Sequence, residues 1–207
     1  VGLVSPVVMA LNATQATVSK HSTSKIQDNI MQHQHDTTTE LSGDEIKFIT
    51  KVAREVEKDN QEIDYKQLIQ QAPTDNKGAF WYQLAVTLSE LPSNQSLDIR
   101  ENGRLQVSLG IVNEMLKTNA DFPQIWATKI VVLKYLAHSY WSYSNALSLN
   151  TEQEETQLYH HHAKKYANAL LSTTQQSIKQ FPDDQWFVFE YEEAREDFSV
   201  WAAATKE

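Results

Sequence analysis

Residues 117–136 read KTNADFPQIWATKIVVLKYL, and residues 179–198 read KQFPDDQWFVFEYEEAREDF. Each stretch places a lysine at the end of one helical pattern, then Phe-Pro, then a tryptophan, Trp126 or Trp186, at the start of the next. Ala72-Pro73 followed by Trp81 is a looser third case. Proline cannot continue an outgoing helix, but its fixed φ suits the first turn of an incoming one. Asp183 and Asp184 fall where the dipole of a helix N-terminus favours negative charge. A tryptophan early in the incoming helix is placed to pack back across the connection. This punctuation constrains the chain to helical hairpins, written more than once.

Apolar periodicity fills in the rest. Ser42 with Glu45 three residues later is a capping box, and Ile46, Ile49, Val52, Ala53 and Val56 follow at helical spacing to about Asn60. Asp64 caps a short helix through Tyr65, Leu68 and Ile69 that Pro73 stops, and Gly78 to Leu91 forms the next, with Trp81, Leu84, Ala85 and Leu88 on one face. Leu105, Leu109, Val112 and Leu116 mark a helix over 97–119, in which Gly103 and Gly110 each cost about 1 kcal/mol if interior. Trp126, Ile130, Leu133, Ala137 and Trp141 continue to about Leu149, and Leu158, Tyr166, Leu170 and Ile178 carry a helix from about Asn150 to Phe181. Phe187, Tyr191, Ala194, Phe198 and Trp201 give the last helix an aromatic face. The fold expected is all-α, stacked antiparallel hairpins or an irregular bundle, with about seven helices. Five glycines in 207 residues agree, since all-β sandwiches and barrels need many turns.

The N-terminal segment differs. Residues 2–11 (GLVSPVVMAL) are uncharged and apolar, with small residues at Thr14 and Ala16, which matches the hydrophobic region and cleavage end of a secretory signal although no basic residue precedes it. The run is too short to span a bilayer. The expected organisation is a signal-like segment at 1–16, a flexible polar linker at 17–41 and one helical domain at 42–207. The setting implied is periplasmic or secreted, or cytoplasmic if 1–16 is retained. His33 to Asp36 (HQHD) offers two imidazoles and a carboxylate in that linker, and the simpler reading is solvated side chains.

Composition removes several function classes. A formal charge of −9 opposes nucleic-acid binding, which draws its affinity from Lys and Arg on phosphates. With no cysteine there is no disulfide framework, thiolate zinc site or cysteine nucleophile. Acids Glu190, Glu192, Glu193, Glu196 and Asp197 have no companion nucleophile, oxyanion loop or phosphate cradle, so no enzyme is expected, and no cofactor. His160, His161 and His162 lie about 100° apart on a helix and cannot converge on one metal; no metal site is expected.

The motif WYQLAVTL at 81–88, with MLKTNADFPQIW at 115–126 and SIKQFPDDQW at 177–186, resembles the tetratricopeptide-repeat family over roughly residues 78–204. The tryptophan spacings, 126 − 81 = 45 and 186 − 126 = 60, depart from that family's period of about 34, and the helices are longer. The resemblance implies stacked hairpins and a habit of binding peptides.

Two features would serve such a task. Within YLAHSYWSYSNAL (135–147), Tyr140, Trp141 and Tyr143 point in different directions, so they either leave aromatic surface in a groove near His138 or are absorbed by an interface buried on two sides. On the last helix an inward aromatic face should leave Glu192, Glu193 and Glu196 toward water or a groove wall, suited to a basic or amphipathic protein segment. The expected function is an adaptor or assembly factor. Rival readings are a small-ligand binder or enzyme using His138 within 135–147, and a structural subunit of a larger assembly. Trp81, Trp126 and Trp186 are all expected to be largely buried at hairpin turns.

Overall fold

A computed structural model describes residues 41–58, 62–73, 77–89, 99–148 and 153–204. The signal-like segment, the HQHD stretch and all of the polar linker but Leu41 lie outside the described residues, as do residues 92–96 (PSNQS). Among the described residues there are seven α-helices and no strand: α1 (Gly43–Lys58), α2 (Tyr65–Gln70), α3 (Lys77–Ser89), α4 (Ile99–Thr118), α5 (Pro123–Ser148), α6 (Gln153–Gln180) and α7 (Gln185–Ala204). The protein is all-α.

The helices start and stop where local chemistry requires. In the α1 capping box the Ser42 N–H donates to Glu45 Oε2 at 2.7 Å and the Glu45 N–H donates to Ser42 Oγ at 3.3 Å. Asp64 caps α2 by accepting the Gln67 N–H at 2.9 Å. α4 ends as the Asn119 N–H and side-chain amide both donate to the Met115 carbonyl. Pro123 is the first residue of α5, and the Trp126 indole N–H donates back to the Ala120 carbonyl at 2.8 Å. At α7 the carboxylate of Asp184 accepts the Trp186 N–H at 3.0 Å.

Packing follows the hairpins. α1 packs on α3 and α4, α2 on α4, α3 and α4 on α5, α5 on α6, and α7 on α6 with a lighter contact to α5. The first half closes over Phe48, Val52, Leu68, Phe80, Trp81, Leu84, Val107, Ile111 and Met115; each such side chain contributes about 1.5–3 kcal/mol on burial. The α5–α6 contact is the most extensive, and buried positions on these two helices are often small: Ala137, Ser144, Ala163, Ala167, Thr174 and Ser177. Small side chains let helix axes approach closely. Among the described residues no helix is long and apolar enough to cross a membrane.

Trp81 and Trp186 are buried, at 3% and 8% exposure, but Trp126 is only half-buried. Trp126 is the least enclosed of the three: its indole reaches the turn carbonyl of Ala120, which holds the ring at the edge of the connection. Gly110 also has a reason the sequence hides. A Cβ there would overlap the ring of Tyr65, so the bare backbone of α4 is what lets α2 lie against it. Gly110→Ala is expected to destabilise by about 1–2 kcal/mol through that overlap. The same change in a Tyr65→Ala background should instead gain up to about 1 kcal/mol from helix propensity. Denaturant unfolding of the four proteins of this cycle checks it.

Candidate functional site

α5 and α7 meet along two matched stripes. Lys134, His138 and Trp141 stand at i, i+4 and i+7 on α5; Glu190, Glu193, Asp197 and Trp201 stand at i, i+3, i+7 and i+11 on α7. Lys134 Nζ donates to Glu190 Oε2 at 3.0 Å and to Glu193 Oε2 at 2.6 Å. His138 Nε2 lies 2.9 Å from Asp197 Oδ2. The His138 ring meets Trp201 edge-on, and Trp201 stacks on Trp141 with centroids 5.2 Å apart. Residue numbers rise together on the two helices, so α5 and α7 run parallel, with α6 returning between them in sequence.

The ladder is graded in exposure. Lys134 and Glu190 side chains are 9% and 2% exposed, whereas Glu193, His138 and Asp197 are 30%, 29% and 37% exposed. Burial, the largest single influence on Lys134, favours the neutral amine. Attraction and hydrogen bonds to Glu190 and Glu193 together outweigh it and leave the pKa above the ordinary lysine value. Lys134 therefore holds its charge inside the seam, with a row of partly wetted polar groups outside it.

The acids of the last helix divide between the seam and the outer face. Glu190 is buried, Glu193 is paired with Lys134 and Asp197 meets His138; only Glu192, paired with Arg195 at 3.2 Å, and Glu196 lie on the exposed face. The physical reason is that α7 has two inward stripes. Phe187 and Ala194 are buried on the aromatic stripe, while 190, 193, 197 and 201 turn to α5. Lys134, which sequence reasoning passed over, carried the signal: a cation inside the apolar run IVVLKYLA, four residues from His138, facing acids of matching period.

The aromatic segment is divided as well. Tyr140 is buried at 6% exposure; its hydroxyl accepts from Gln106 Nε2 at 2.9 Å, and its ring stacks on Tyr159, His162 and Tyr166 with centroids 5.0–5.9 Å apart. Burial raises the Tyr140 pKa against the lowering effect of its hydrogen bonds from Gln106 and Asn102. Tyr143 meets Tyr159 edge-on. Tyr140 and Tyr143 thus pack toward α6, while His138 and Trp141 belong to the α5–α7 seam. Of the candidate binding residues the structure gathers His138, Trp141 and Glu193 into one site, and leaves Glu192 and Glu196 on the adjoining outer face of α7.

His160 stacks on Trp141 with centroids 5.1 Å apart, His162 stacks on Tyr140, and His161 is exposed. The three diverge, and among the described residues no group of three or more His, Asp or Glu is placed to hold a metal ion. His160 Nε2 and His162 Nδ1 are buried with no hydrogen-bond partner. Burial lowers both pKa values, with Lys165 and His161 adding to the effect at His162.

Because the folded protein binds these two protons less readily than the unfolded chain does, their neutral forms contribute stability that is full above the unfolded value of about 6.5 and is lost as pH falls below it. The melting temperature should drop between pH 7 and pH 5 in the native chain, and drop less in a His160→Phe, His162→Phe variant, read by circular dichroism. Lys134→Ala leaves Glu190 buried without its cation and should cost roughly 3–5 kcal/mol in denaturant unfolding.

Comparison with protein-family models, curated proteins and solved structures gives no match, so function rests on the geometry of this seam.

Proposed function

We propose that the chain is a protein-binding module of stacked helix hairpins, tetratricopeptide-like in organisation, acting as an adaptor or assembly factor outside the cytoplasm. The site is the α5–α7 seam, and the partner is a basic or amphipathic segment of another protein. The observation that carries this reading is the graded ladder: a buried Lys134 fixes Glu190 and Glu193, and beside it Glu193, His138 and Asp197 stand partly open to water in one row. Such a row is held in place before a ligand arrives, so little side-chain entropy remains to be lost on binding. Glu192 and Glu196 extend the negative field on the adjoining face, and steer cationic segments at a rate that falls with salt. A small-ligand pocket within 135–147 is less favoured, because the rings of Tyr140, Trp141 and Tyr143 pack against other rings of the fold.

A fluorescent amphipathic Leu/Lys peptide titrated into the full chain tests the reading. Binding should weaken as salt rises. Asp197→Asn with Glu196→Gln should lower affinity by roughly 3–10-fold at low salt, as expected for two partly exposed charges worth about 0.2–1 kcal/mol each. Most of that loss should fall in the association rate. Affinity insensitive both to salt and to this pair of changes would contradict the proposal.

A further inference from the structure

The chain itself carries a segment of the kind its acidic face suits. α1 is strongly two-sided: Phe48, Ile49 and Val52 fill the core, while Lys47, Lys51, Arg54 and Lys58 recur at i, i+4, i+7 and i+11 along the outside. Asp44, Glu55 and Glu57 flank this basic stripe on the same helix, so the cations least offset by neighbouring acids are Lys51 and Arg54 in its middle. Ile46 flanks it at 52% exposure, and the described residues bordering an open pocket along this face all come from α1, between Ile46 and Lys58. The outer face of α7 is its counterpart in sign, with Phe189 at 37% exposure followed by exposed Glu192 and Glu196.

We infer that a second copy of this chain is one partner: the basic face of α1 in one copy lies along the acidic outer face of α7 in the next. The inference rests on the reading of α7 as a face for basic segments, and it names the segment. The spacings agree. Ile46 and Arg54 are eight residues apart, about 12 Å along a helix, and Phe189 and Glu196 are seven apart, about 10.5 Å. A parallel alignment sets Arg54 against Glu196 and Lys51 near Glu192, with Ile46, about 80–140° round the helix from those two, at the edge of the contact. The pairs these groups now make are i,i+3 contacts of Lys47 with Asp44, Lys58 with Glu55 and Arg195 with Glu192, and an exposed hydrogen bond from Lys51 to Gln71 at 2.6 Å, which gives way if Lys51 turns to the partner. Because the two faces differ, the contact is heterologous: one copy keeps a free α1 and the other a free α7, and the assembly grows by addition or closes as a ring.

Sedimentation velocity of the full chain across a concentration series, at about 20 mM and about 500 mM salt, reads this directly. The expected result is a weight-average mass that rises at least about twofold with concentration at low salt and returns to that of the monomer at high salt. K51E/R54E and E192K/E196K should each be monomeric at low salt, and an equimolar mixture of the two should assemble again, since each restores the opposite sign for the other. A native chain that stays monomeric at low salt, or assembly that neither charge reversal changes, would overturn the inference. If the native chain stays monomeric while the Leu/Lys peptide still binds α7 in a salt-dependent way, self-association is wrong and the binding face stands. If both are lost, both readings fall.

Discussion

The buried contact of Lys134 with Glu190 and Glu193 is the constraint on which the second half of the molecule depends. α7 lies mainly on α6, and its route to α5 is narrow. Along that route the only ion pair with both side chains less than one-tenth exposed, among the described residues, is Lys134 with Glu190. A charge in such a place is stabilising only while every partner is present, because removing one leaves the others desolvated. The pair therefore fixes register: a slip of α7 by one turn would set Lys134 against other side chains and leave Glu190 buried without its cation. The half-wetted groups further along, Glu193, His138 and Asp197, inherit their positions from it.

The two halves of the chain solve the same packing problem with different materials. From α1 to the start of α5 the core is large and apolar, with Phe48, Phe80 and Trp81 in ring contact at 4.8–5.7 Å. From α5 to α7 the buried aliphatic residues are joined by small residues, stacked rings and a few buried polar groups. Two ring stacks run along neighbouring sides of α5, one through Trp201, Trp141 and His160 and the other through Tyr140, Tyr166 and His162. Histidines set among such rings are neutral aromatic spacers at neutral pH, and the positions that serve packing there are poor places for a proton.

Helix boundaries were largely legible because they are local. The Ser42–Glu45 box, the Asp64 cap and Pro123 each act within one turn, and each occurs where the sequence places it. The tertiary choices were not. The sequence shows that Tyr140, Trp141 and Tyr143 diverge, yet which neighbour each meets depends on how α4, α6 and α7 surround α5. Glu190 is buried where acids usually are exposed, and only the facing Lys134 makes that burial tolerable. Gly110 looked like a weak point in a helix; its meaning appears only when Tyr65 of α2 is seen lying on it. Trp126 shows the limit from the other side, since proline punctuation predicts the turn but not whether its indole is satisfied inside the core or at the rim.

The most direct measurement of the central claim is an NMR titration of the Lys134 ammonium group in the folded protein. The seam described here requires the charged form to be favoured against desolvation, so Lys134 should lose its proton only above the ordinary lysine value of 10.5. Its ammonium protons should also exchange slowly, held by Glu190 and Glu193. A midpoint below that value, with the fold intact, would show that burial outweighs the two carboxylates and that α5 and α7 are held together by something other than this ion pair.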